Sequence, residues 1–193
     1  SGRRAVSIPR RLAALVLVTL AAATGACRRT GSGDRLRQGD RLVTATISDP
    51  KTFNPLLSVD AASSAATGDI FEGLVRLDPH TTLPEPVLAS SWEHDAAGTI
   101  WTVHLRPGVR WHDGEPFTAE DVAFTFDAIY DPKIPNSLKH VLTVGGARID
   151  VEVVDPLTVR LHLAEPFAPL LNSIGFAILP KHLLGKALAD GTF

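Results

Sequence analysis

Residues 101–126, WTVHLRPGVRWHDGEPFTAEDVAFTF, leave the chain little choice of local structure. Trp101, Val103 and Leu105 alternate with Thr102 and His104, the period-2 pattern of a strand with one face buried. Arg106-Pro107-Gly108-Val109 then turns the chain, proline presetting φ at the second position and glycine accepting the positive φ that a type II turn needs at the third. A short extended piece follows, and Asp113-Gly114 marks a second turn. Thr118 and Asp121 have the spacing of a capping box, and Phe117 and Val122 that of a hydrophobic staple. Val122, Phe126 and Ile129 recur at helical spacing, so the helix that starts here buries one face. The order is strand, turn, short strand, turn, helix.

Flanking segments add hairpins and a helix. Residues 42–47 alternate well enough for a first strand, and Asn54-Pro55 closes a turn. Residues 61–74, rich in alanine and serine with Ile70, Phe71 and Leu74 apolar, predict a helix whose end carries Glu72, either exposed or as a buried ligand-sensing carboxylate. Residues 92–94, the turn 95–98 and the strand from Thr99 make one hairpin. Residues 131–143, with Pro132 and Pro135, read as a loop. Residues 147–154, the Asp155-Pro156 turn and the strict alternation of Leu157, Val159, Leu161 and Leu163 with Thr158, Arg160 and His162 make a second hairpin with one wet face.

The N-terminus has a different character. Arg3, Arg4, Arg10 and Arg11 precede an apolar run over 12–23, short for a membrane span but fitting a signal-peptide core. Thr24-Gly25-Ala26-Cys27 follows, and Cys27 is the one cysteine in 193 residues, so no intramolecular disulfide forms. This junction resembles a lipobox, in which the cysteine is diacylated and becomes the mature N-terminus. Thr24 stands where that motif usually has an aliphatic residue, and cleavage after Ala26 with Cys27 left as a free thiol is the alternative. Residues 28–40 are polar and glycine-rich, a flexible tether. The expected organisation is a signal peptide over 1–26, a lipid-anchored tether over 27–40 and a folded body over 41–193. Of 19 basic residues, the first 26 positions hold those four arginines and no acid, leaving 15 against 21 acidic ones. A mildly acidic exported body argues against nucleic acid as a partner.

No catalytic constellation emerges. His112-Asp113 would be an acid–base or metal pair, yet adjacent residues on an extended segment face opposite ways. Glu120-Asp121, in a first helical turn, complement the helix dipole. Seven histidines form neither His-x-x-x-His nor a Cys/His cluster. Ser63-Ser64 lacks a nucleophile elbow, and Gly145-Gly146 stands outside any phosphate loop.

The strand followed by Leu105-Arg106-Pro107-Gly108-Val109-Arg110-Trp111-His112-Asp113-Gly114, and then by Pro116-Phe117-Thr118-Ala119-Glu120-Asp121-Val122, resembles the signature of the bacterial family 5 extracellular solute-binding proteins, the peptide, dipeptide and nickel receptors of ABC importers. Asp49-Pro50 through Asn54-Pro55, Ile70-Phe71-Glu72-Gly73-Leu74-Val75, Leu88-Ala89-Ser90-Ser91-Trp92 and Pro180-Lys181-His182-Leu183 resemble the same family. The resemblance implies an α/β fold of the periplasmic-binding-protein type II kind, a two-lobed clamp, here its N-terminal portion with a mixed sheet and hairpins, ending before the second lobe. It implies a receptor, not an enzyme, needing no cofactor and no metal. Acting as a monomer on the periplasmic or cell-surface side of the membrane, it would hand a small solute, peptides foremost, to permease subunits. Alternatives are a nickel-chelate or sugar receptor, a structural envelope lipoprotein and a secreted metal-dependent hydrolase. By position in the family, Asn54, Leu57, Ser58 and Asp60, Leu138 and His140, and Ile174 and Phe176 would face the ligand.

Overall fold

The computed structural model describes residue 45 and residues 47–193. The signal segment, Cys27 and the tether lie outside the described residues, as does most of the strand expected over 42–47; Ala45 and Ile47 themselves are not in a strand.

From the N-terminal side the elements are α1 (Ala61–Gly68), β1 (Val75–Leu77), β2 (Pro84–Pro86), β3 (Ala89–His94) and β4 (Ile100–Leu105). They are followed by α2 (Ala119–Tyr130), α3 (Leu138–Val141), β5 (Thr143–Val144), β6 (Ala147–Arg148), β7 (Asp150–Asp155), β8 (Thr158–His162), α4 (Leu170–Ser173) and α5 (Lys181–Asp190). The main sheet has the order β3-β4-β8-β7. Both expected hairpins form, the second starting at Asp150 because Ala147 and Arg148 pair instead with Val144 and Thr143 in a separate ribbon, and their inner strands pair with each other, Trp101 opposite Leu161 and Val103 opposite Val159. Because each pair is a hairpin or the join of two hairpins, every ladder among the described residues is antiparallel.

Alternation puts Trp101, Val103, Leu105, Val159 and Leu161 on the buried face, and α2 covers that face over β7 and β8. Val122, Phe126 and Ile129 are its fully buried residues at helical spacing, each contributing about 1.5–3 kcal/mol by leaving water. The other face, with Thr102, His104, Thr158, Arg160 and His162, is partly exposed.

The central segment folds as its residues dictate. Gly108 has φ +76° and Gly114 φ +93°, so both turns use the left-handed conformation that glycine accepts without strain. Arg110 bridges to Pro116 as the short extended piece. Asp121 Oδ2 accepts from the Thr118 amide at 2.9 Å, the carboxylate half of the capping box. Asp95 turns the first hairpin by accepting from the amides of Thr99 at 2.8 Å and Ile100 at 3.0 Å.

Three elements differ from expectation. The helix predicted over 61–74 ends at Gly68: the amides of Ile70 and Phe71 both bond back to the Thr67 carbonyl oxygen, at 3.1 and 2.9 Å, and close it. Glu72 is therefore exposed on an extended segment beyond the helix. Within the expected loop 131–143, α3 forms one helical turn, with Asn136 Oδ1 accepting from the Lys139 amide at 3.2 Å. Residues 181–190, of which the sequence reading covers only the family segment at 180–183, form α5. Pro180 precedes it and Gly191 follows it in the left-handed conformation at φ +69°, the proline-before, glycine-after arrangement of helix ends.

Candidate functional site

The extended segment after α1 meets the segment after α4 at two glycines. A Cβ on Gly73 would stand 2.5 Å from the Gly175 carbonyl oxygen, and one on Gly175 would stand 3.1 Å from the Val75 carbonyl oxygen. The Ile178 amide donates to the Glu72 carbonyl oxygen at 2.9 Å, locking the crossing. An isolated glycine between Glu72 and Leu74 is the sequence signal for such an approach.

This crossing floors an open depression of about 730 Å³, within the range of small-molecule sites. Three stretches far apart in sequence wall it. Pro55, Leu56, Ser58 and Val59 come from the loop before α1; Pro135, Asn136, Ser137 and Leu138 come from the start of α3; Gly175, Phe176 and Ala177 come from the turn after α4. Ser64, Thr67, Gly68 and Phe71 complete it from α1 and its exit. No lining residue carries a charge; hydroxyls and an amide supply the side-chain polarity.

Of the eight residues expected to face a ligand, Ser58, Leu138 and Phe176 line the depression. Phe176 is held edge-on to Phe126, with ring centroids 5.4 Å apart at 70°. The other five do not line it. Asn54 is committed to its own turn, its Oδ1 accepting from the Leu56 amide at 3.0 Å and its carbonyl from the Leu57 amide at 3.1 Å. Leu57 packs against the core, and Ile174 is fully buried in it. His140 is exposed on α3.

Asp60 caps α1, accepting from the Ser63 amide at 2.9 Å and the Ser63 hydroxyl at 2.7 Å. Those bonds, the amide first, hold its carboxyl below the ordinary range. Buried Ser63 in turn accepts from the amides of Lys51 and Thr52 at 2.9 and 3.2 Å, tying the loop to the helix. Val59 lies inside the first stretch expected to face a ligand, whereas Thr67, Phe71 and Asn136 line the depression from outside the expected stretches. Thr67 and Phe71 lie in the 61–74 stretch that was read for its helical apolar pattern, and nothing in that pattern distinguishes a residue facing a recess from one facing the core.

The family model for bacterial extracellular solute-binding proteins, family 5 Middle, matches residues 84–191. The di/tripeptide-binding protein 4 of Pseudomonas aeruginosa is 34% identical over 152 residues, covering 71% of this chain and 28% of that protein. The DppA periplasmic binding protein of Helicobacter pylori, solved with the peptide STSA, is 31% identical with a TM-score of 0.60, covering 75% of this chain and 32% of the other. NikZ of Campylobacter jejuni, solved with Ni(L-His), is 32% identical with a TM-score of 0.60, covering 72% and 27%. The chain thus spans about a third or less of the length of these proteins. Its fold is the α/β fold of type II periplasmic binding proteins, in part. With more than half of its residues inside the match, the chain belongs to the bacterial extracellular solute-binding proteins, family 5.

Proposed function

We propose that this chain is the N-terminal part of an exported solute receptor that captures peptides in an interlobe cleft and delivers them to the permease of an ABC importer. The observation that carries this reading is the convergence of the loop before α1, the start of α3 and the turn after α4 on one uncharged depression. The hydroxyls of Ser58, Ser64 and Ser137 and the main chain of residues 175–177 suit the neutral backbone of an extended peptide, held by main-chain hydrogen bonds, while the Asn136 amide is taken up by the carbonyls of Ile129 and Ile134 and the amide of Lys139. The charges that a peptide's termini need would come from the opposing lobe. Closure then follows from ligand touching both lobes, since only differential contact shifts a hinge equilibrium. In this reading residues 1–26 direct export, Cys27 carries the lipid and 27–40 tether a monomeric body over 41–193 to the membrane. A second reading, a receptor for a metal–amino-acid complex, draws on the likeness to NikZ with its Ni(L-His).

The test is a thermal-shift screen of the full-length, ligand-free mature protein against mixed di- to pentapeptides, Ni(L-His) and oligosaccharides. A ligand bound by the native state alone raises the melting temperature as its concentration passes Kd. Peptides should produce the shift. A shift only with Ni(L-His) or a sugar changes the cargo, and no shift with any solute overturns the receptor reading. Cys27→Ser should release the protein from the membrane fraction; a variant that stays there rules out the anchor.

A further inference from the structure

Phe71 and Gly68 line the uncharged depression on one side and a separate recess of about 370 Å³ on the other. The chemistry of that recess is different. Asp69 and Glu72, from the exit of α1, supply carboxylates, and Arg110 supplies a guanidinium. Leu88, Val109 and Phe117 give the recess an apolar floor, with Trp111 beside them.

The oppositely charged side chains around this recess do not pair with one another. Among the described residues, neither Asp69, Glu72 nor Arg110 forms an ion pair, and the two carboxylates accept no side-chain hydrogen bond. Arg110 Nη1 donates to the Gly114 carbonyl oxygen at 2.8 Å. That bond orients the guanidinium and leaves its other N–H groups free, and a guanidinium presents a fork that matches a carboxylate.

The geometry points to a second ligand site at this recess, one that takes a small zwitterion with an apolar side chain: a free apolar α-amino acid. Its ammonium meets Asp69 and Glu72, its carboxylate meets Arg110, and its side chain covers Leu88 and Val109. The two charges of the ligand bridge protein charges that stand too far apart to pair with one another. The size agrees, since the recess lies at the small end of the range for small-molecule sites. This inference is independent of the peptide reading, because Asp69, Glu72 and Arg110 are absent from the lining of the uncharged depression.

The experiment is calorimetric titration of the full-length, ligand-free protein with L-leucine, with L-leucinamide, which lacks the carboxylate, and with N-acetyl-L-leucine, which lacks the ammonium. L-leucine should bind and change tryptophan emission through Trp111, and each capped analogue should bind at least tenfold more weakly. Glu72→Gln and Arg110→Gln should each weaken L-leucine at least tenfold. Both side chains are exposed, so Glu72→Gln in particular removes a charge without removing packing. Val59→Asp, on the other side of Phe71, should leave L-leucine binding unchanged. Absence of L-leucine binding at millimolar concentration overturns the proposal. So does binding that the capped analogues match, or that Val59→Asp abolishes while Glu72→Gln does not. None of these results bears on peptide binding in the neighbouring depression, which the thermal-shift screen decides separately.

Discussion

Gly73 and Gly175 cross so closely that the carbonyl oxygen of Gly175 occupies the space a Cβ on Gly73 would need, 2.5 Å away, with the Phe176 carbonyl oxygen at 2.8 Å. Both obstructing atoms belong to backbone, which cannot rotate aside as a side-chain tip does. Gly73→Ala should therefore destabilise the full-length protein by about 1–3 kcal/mol, the usual cost of overpacking. It should also weaken ligand binding, because the crossing floors the depression. Gly68→Ala is the control: a Cβ there meets nothing within 4 Å, and its urea midpoint should stay at or above the parent's. Equal midpoints for the two variants would mean that the crossing relaxes without cost.

Asp121 joins three parts of the chain through one carboxylate. Its Oδ2 accepts from the Thr118 amide at 2.9 Å and Trp111 Nε1 at 3.3 Å, and its Oδ1 accepts from the Lys181 amide at 2.9 Å. At 3% exposure, Asp121 itself is buried. Asp121→Ala leaves those donors without their acceptor and removes the carboxylate half of the capping box, so urea denaturation should show a loss of about 2–4 kcal/mol. Asp121→Asn keeps an acceptor for one side only and should fall between. A loss below half a kcal/mol for the alanine variant would mean that α5 is held by other contacts, such as the Leu179 amide donating to Thr125 Oγ1 at 2.9 Å.

The first hairpin carries a pH dependence of known sign. Hydrogen bonds from the amides of Ile100 and then Thr99 hold the Asp95 carboxyl below its ordinary 3.8. A depressed folded value means that the unfolded chain takes up the proton first as pH falls. The stabilisation from Asp95 is therefore full above the ordinary value and disappears as pH drops through the lower folded one. The gap in urea midpoint between the parent and Asp95→Asn should be constant between pH 6 and 8 and should shrink on acidification below 4. Asp60 and Asp113 share this window, the first through Ser63 and the second through His182, so the difference between the two proteins is the quantity to follow. A gap that widens in acid contradicts the assignment.

Local signals carried much of the fold. The capping box at Thr118, the turn glycines at 108 and 114 and the alternation in 101–105 and 157–163 are each decided within a few residues, and the structure follows them. What pattern could not supply was the pairing of β4 with β8, since a strand's period tells which face is buried and not which strand lies beside it. The ending of α1 at Gly68 was hidden for a related reason: Ile70, Phe71 and Leu74 keep helical spacing, while the Gly73–Gly175 crossing, a tertiary demand, pulls the segment straight. In α5, Gly185 interrupts a ten-residue helix with no fully buried residue, so its periodicity is faint although its ends are well marked. Of the depression, the positional resemblance names stretches that border it but not which side chains within them turn to it, because Asn54 and Asp60 have polar groups that serve the local backbone equally well.

That last distinction gives the sharpest test of the depression. Val59 lines it at 90% exposure, with almost no packing to lose, so Val59→Asp should leave the ligand-free midpoint within about 0.5 kcal/mol of the parent. If ligand and opposing lobe close on this face, burying a new carboxylate there should weaken peptide binding at least tenfold, about 1.4 kcal/mol. Ile174→Ala should do the opposite, costing about 2–5 kcal/mol of stability through the cavity left in the core. His140→Ala, on the exposed side of α3, should change neither quantity. Titration of the three variants with the peptide found in the thermal-shift screen separates the roles. Undiminished affinity in Val59→Asp, alongside a loss in His140→Ala, would move the ligand face from the depression to the outer side of α3.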